Sequence, residues 1–70
     1  MSIREGSTVC WPWGGGRGSG TVVEIHRSTV TRTLAGSEIT RHGSDGDPAY
    51  LIETDDGARV LKLRSEVSHD

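Results

Sequence analysis

The sequence predicts an all-β fold, a small barrel of five to six antiparallel strands with a projecting β-hairpin and a short helical turn near the C-terminus. Three observations lead there. The apolar residues fall in short runs dominated by β-branched and aromatic side chains, the types that fit a pleated, half-buried surface. Between the runs stand Gly, Ser, Asp and Pro in the combinations that make tight turns. The chain is only 70 residues long, so that number of strands has to curl, because an open sheet would leave exposed edges and an uncovered apolar face.

Glu5-Gly6-Ser7 is a turn signal, and residues 8–11 make a first strand with Val9 and Trp11 facing inward and Thr8 and Cys10 on the other side. Pro12 holds Trp11 extended, and Gly14-Gly15-Gly16-Arg17-Gly18-Ser19-Gly20 reads as a bent, mobile loop. Residues 20–26 are the clearest strand: Thr21, Val23 and Ile25 alternate with Val22, Glu24 and His26. On that pattern Val22 is exposed unless a bulge at Gly20 shifts the register.

Residues 29–34 and 38–42 read as a hairpin around Ala35-Gly36-Ser37, a polar ribbon of Thr and Arg that projects from the barrel and buries little. Residues 43–48 are a loop rich in turn formers. Residues 49–54 form the next strand, Asp55-Asp56-Gly57 a tight turn with Gly57 at positive φ, and residues 58–63 the partner strand. A single helical turn over residues 64–67 lays Val67 over Leu63, and residues 68–70 are a frayed end. An SH3-like barrel is the economical closure, one domain over residues 1–70 with its core over about residues 6–67.

Composition narrows the function classes. A domain of this size buries only about 60% of its unfolded surface, which leaves little room for a catalytic cleft. The single cysteine excludes an internal disulfide, and Cys10 reads as a small buried hydrophobe in a reducing cytoplasm. The N-terminus lacks the apolar core of a signal peptide and no apolar run approaches a membrane span, so a cytoplasmic protein without a membrane partner is expected. Net charge is −2, unevenly spread: residues 1–44 carry five Arg against three Glu, and residues 45–70 three Lys or Arg against seven Asp or Glu. Overall acidity disfavours nucleic acid, while the first part keeps enough arginine for a local basic face.

The ordered motifs Val9-Cys10-Trp11-Pro12-Trp13-Gly14-Gly15-Gly16, Ser19-Gly20-Thr21-Val22-Val23-Glu24-Ile25, Asp47-Pro48-Ala49-Tyr50-Leu51-Ile52-Glu53, Asp56-Gly57 and Val60-Leu61-Lys62-Leu63-Arg64-Ser65-Glu66-Val67 are similar to those of the hypervirulence-associated protein Tudor domain family. The resemblance spans about Gly6 to Val67. It implies a Tudor-like, SH3-type barrel without established enzymatic activity. Cys10 and Pro12 depart from it, at positions more often filled by small or polar residues.

Tudor-type barrels can hold a methylated Lys or Arg in an aromatic cage by cation–π attraction. Only Trp11, Trp13 and Tyr50 are available here. One ring in the core with two covering the barrel mouth accounts for them as well, since aromatic side chains first of all bury area. The glycine run lacks the Lys-Ser/Thr ending of a phosphate loop, and the three histidines and the aspartates show no zinc or calcium spacing, so neither a cofactor nor a metal is expected. No serine sits in a nucleophile setting.

These readings converge on a non-enzymatic, monomeric binding module that meets a protein or peptide through Trp13, Arg17 and Tyr50, with Trp11 as core anchor or further contact. Two alternatives stand beside it. One is a weak nucleic-acid-binding barrel using Arg17, Arg27, Arg32 and Arg41 with a stacked Trp; the other is an assembly role in which a strand edge pairs with another chain.

Overall fold

The computed structural model describes residues 3–69. Its elements are β1 (Thr8–Trp13), β2 (Gly16–His26), β3 (Thr29–Leu34), β4 (Ser37–His42), β5 (Ala49–Thr54), β6 (Arg59–Leu63), a 3-10 turn (Arg64–Glu66) and β7 (Ser68–His69). Five strands form one antiparallel sheet in the order β6-β5-β2-β1-β7, and β3 and β4 form a second sheet of two. The all-β, barrel-like architecture with its separate hairpin and C-terminal turn is therefore that of the sequence reading.

The glycine-rich stretch is not a loop. Trp13 pairs with Gly16, Pro12 with Arg17 and Trp11 with Gly18, so Gly14 and Gly15 alone make the turn and the rest of the run is strand. Gly14 takes φ 54°, which a two-residue hairpin turn requires and glycine adopts without a steric cost. Pro12 is compatible with pairing because the register turns its nitrogen away from β2, so no ladder bond is lost.

Val22 is buried, but by another route than a bulge at Gly20. Val22 pairs with Ile52 and Glu24 with Leu51, so the extra residue is Val23. The bulge moves Val22 and Ile25 onto one face of the sheet and turns Val23 to the other. Gly20 serves close approach instead: a Cβ there would lie 2.5 Å from the Glu53 carbonyl oxygen.

β5 organises the core. Ala49, Tyr50, Leu51 and Ile52 are each at most 2% exposed, a continuous apolar run buried on both faces. Tyr50 and Ile52 pack with Val9, Trp11, Val22 and Val67 on one side. Ala49 and Leu51 pack with Val30 and Leu61 on the other, where Leu34 and Ile39 of the hairpin join them. The β3–β4 hairpin stands apart as its own sheet, yet it buries more than its Thr and Arg content indicates. Val30, Leu34 and Ile39 alternate onto one face, and that face covers β5 and β6.

Two details of the C-terminus also differ from expectation. Val67 packs into the Trp11 cluster and not over Leu63, because the 3-10 turn redirects the chain across the barrel end. Ser68 and His69, expected to fray, pair with Cys10 and Val9 of β1. Asp70 lies outside the described residues. The turn is anchored at both ends: Glu66 Oε1 accepts the Leu63 N–H at 2.8 Å, and Asp47 accepts the Ser65 N–H at 2.8 Å and its hydroxyl at 2.9 Å. No helix among the described residues is long and apolar enough to cross a membrane.

Candidate binding groove

The two tryptophans leave the same face of β1, because two residues apart on a strand is one full period. Trp11, near the strand centre, is 4% exposed, whereas Trp13, beside the turn, is 69% exposed and is the one large apolar side chain that stands out among the described residues. Trp11 rests on its cross-strand partner Gly18, where a Cβ would lie 2.7 Å from Nε1 of the ring. Its indole N–H has no hydrogen-bond partner among the described residues, and no buried side-chain nitrogen or oxygen there is left unsatisfied. That N–H therefore opens outward rather than into the core.

It opens into a groove of about 580 Å³, a size ordinary for ligand sites. This groove is lined by Trp11, Trp13 and Gly18 of the β1–β2 hairpin, by Leu34, Ile39 and Arg41 of the β3–β4 hairpin, and by residues 58–62. The groove exists because no ladder joins β6 to β1 or to the hairpin, so the barrel keeps a seam. Three cations, Arg41, Arg59 and Lys62, line it against one carboxylate, Asp56. The Thr54 hydroxyl donates to Asp56, and this bond holds that carboxyl below the usual carboxylate range.

The other residues singled out in the sequence are elsewhere. Tyr50 is 2% exposed within the Trp11 cluster, and burial raises its phenol above the ordinary value. It covers no barrel mouth and does not line the groove. Arg17 pairs with Pro12, on the face of the hairpin opposite both tryptophans, and its guanidinium donates to the Cys10 sulfur. Cys10 itself is buried. Trp11, Trp13 and Tyr50 thus do not share an open wall.

Over residues 6–67 the sequence matches the family described as "Hypervirulence associated proteins TUDOR domain". The chain belongs to that family. It is a Tudor-like domain, and Tudor-like domains are small binding modules. No curated protein and no solved structure matches it.

In this Tudor domain most arginines of the basic alternative have partners within the chain, and Arg32 and Arg41 share one face of the β3–β4 hairpin. Arg32 donates to Glu24 at 2.9 Å, Arg41 lies 3.6 Å from Glu66, Arg17 turns to Cys10, and Arg27 is exposed at the end of β2. Glu24 also accepts from His26 at 2.8 Å, and this bond, followed by the one from Arg32, holds its carboxyl below the usual range. Among the described residues no group of three His, Cys, Asp or Glu could hold a metal ion.

Leu34, Ile39, Arg59 and Lys62, which line the groove, were not singled out in the sequence. A signal for two of them was present: Val30, Arg32 and Leu34 alternate on one face, with Ile39 opposite Arg32. The arginine in the middle of that face disguised it. Arg59 and Lys62 carried no signal, since their place in the groove follows from β6 being the outer strand.

Proposed function

We propose that this Tudor domain is a non-enzymatic module that binds a peptide segment of a partner protein in the groove between Trp13 and the β3–β4 hairpin. The observation that carries the reading is Trp13. A tryptophan 69% exposed beside a concave, largely apolar surface is a costly arrangement unless something covers it. Trp11 lines the groove with an indole N–H that has no partner among the described residues, and Leu34 and Ile39 add apolar surface from the hairpin. Tyr50 and Arg17 have no part in this version of the site. A methyl-cation cage is not favoured, because the groove offers two rings and its charged lining is mainly basic. A monomer and a cytoplasmic setting belong to the same proposal, the latter consistent with a chain that has a single buried cysteine and no disulfide.

The test is selection of peptides from a displayed random library on the immobilised protein, followed by affinity measurement against Trp13→Ala. Loss of at least tenfold in affinity, with circular dichroism and thermal midpoint unchanged, is expected. Selected peptides that bind Trp13→Ala as well as the parent would rule the groove out.

A further inference from the structure

We propose that the groove holds an extended, acidic peptide segment that adds as a strand to the free edge of β6. This rests on the peptide-binding reading above and specifies the segment and its mode of attachment.

Hydrogen bonding along β6 decides which groups are free. Thr54 N–H donates to the Ala58 carbonyl at 2.8 Å and Arg64 N–H to the Pro48 carbonyl at 2.8 Å. In this register the even-numbered residues of β6 bond to β5, and Arg59, Leu61 and Leu63 turn their N–H and C=O groups outward. The chain occupies two of these itself. Arg41 Nε donates to the Leu61 carbonyl at 3.4 Å, and the Glu66 carboxylate accepts the Leu63 N–H at 2.8 Å. The N–H and C=O of Arg59 and the N–H of Leu61 have no partner among the described residues, and both residues line the groove. Edge groups left unpaired in this way are a template for another strand.

The chemistry of the occupant follows. Alternating main-chain donors and acceptors are matched by another extended backbone. The side chains around this edge are basic, with Arg41, Arg59 and Lys62 against Asp56 alone. Arg41 and Arg59 each have a carboxylate of their own chain at 3.6 Å, Glu66 and Glu53, in partly exposed pairs that hold only weakly. Lys62 has no ion-pair partner among the described residues. Arg59 and Lys62 stand on opposite faces of β6, so aspartate or glutamate on both faces of the added strand would meet these cations. A second copy of the domain is a poorer occupant. Antiparallel pairing of β6 with β6 through these groups would set Arg59 opposite or diagonal to Arg59 of the other copy, or Lys62 diagonal to its counterpart, and like charges across a ladder destabilise it.

Peptides selected on the immobilised protein, and their variants, test the proposal. The selected sequences should be rich in Asp and Glu, and Lys in place of those residues should weaken binding at least tenfold. N-methylation of alternate amides, which blocks pairing with β6 but leaves the side chains, should do the same. The amide resonances of Arg59 and Leu61 should shift on binding. Peptides that need Trp13 but tolerate N-methylation at every position, or show no acidic preference, would overturn strand addition and leave the groove reading standing. Peptides that neither need Trp13 nor shift Arg59 and Leu61 would overturn both. Shifts of Arg59 and Leu61 that follow protein concentration without peptide, with a dimer in sedimentation, would make the occupant a second copy and overturn the proposal.

Discussion

Trp11 lies against the backbone of Gly18, its partner across the β1–β2 ladder, with no room for a methyl group between them: a Cβ on Gly18 would be 2.7 Å from Nε1 and 2.8 Å from Cε2 of the ring. This contact holds the indole between the core and the groove wall, so it links the stability of the barrel to the shape of the site. Gly18→Ala should therefore act on both. Overpacking a fitted site costs about 1–3 kcal/mol, so thermal unfolding followed by circular dichroism should show a lowered midpoint. A midpoint equal to the parent's would mean that Trp11 can shift freely and is not locked.

The two tryptophans should separate in mutagenesis. Trp11→Ala removes a ring that is 4% exposed, and truncating a buried aromatic costs about 3–5 kcal/mol, most of what a domain of this size can have. It should leave the protein largely unfolded by circular dichroism. Trp13→Ala, at an exposed position, should stay within about 0.5 kcal/mol of the parent. Acrylamide should quench the Trp13 fluorescence of a Trp11→Phe protein far more than the Trp11 fluorescence of Trp13→Ala.

Two hairpin turns give changes of opposite sign. Gly57 closes the β5–β6 turn at φ 85°, and a β-branched residue there is strained, so Gly57→Val should destabilise by about 1 kcal/mol or more. Ala35 closes the β3–β4 turn at φ 52°, followed by Gly36 at φ 81°. Asn is better suited than Ala to the first of two successive positive-φ positions, so Ala35→Asn should stabilise by about 0.5–1 kcal/mol. Urea midpoints moving apart in this way are the expected result; both moving down would mean that the Ala35 conformation is not held in solution.

Glu24 couples β2 to the hairpin, since the same carboxylate oxygen accepts from His26 and from Arg32. Its folded pKa is lowered, first by His26 and also by Arg32. The stability it contributes is therefore present above the ordinary glutamate range and is lost as pH falls through the lowered folded value. Its side chain is 39% exposed, so the contribution is limited to about 1 kcal/mol or less. Denaturation midpoints measured from pH 6 to pH 3 should fall less steeply for Glu24→Gln than for the parent. Parallel curves would show that the ion pairs contribute nothing in solution.

How much of this was legible in the sequence depends on the range of the interaction concerned. Residues 49–54 announced a strand, Asp55-Asp56-Gly57 announced its turn, and the proline and turn position of Trp13 separated an exposed tryptophan from a buried one. Each is a local matter of side-chain type, backbone preference and period. The glycine run misled because a loop and a strand with glycines have the same local preferences. What makes residues 16–20 a strand is β1 alongside them, and what requires glycine at position 18 is the indole of a residue seven positions earlier.

By itself, then, the sequence determined an all-β chain, where most of its strands and turns fall along it, and its family, because these follow from short-range preferences and an ordered set of motifs. Only the tertiary structure decided the groove and what lines it. Tyr50 went to the core, Arg17 to the opposite face of its hairpin, and Arg41, Arg59 and Lys62 to the groove. The reason is closure. Where the bulge at Val23 falls, which strand ends the sheet and which face the hairpin covers are settled by packing across the barrel, and a side chain's neighbours there are residues far away in the chain.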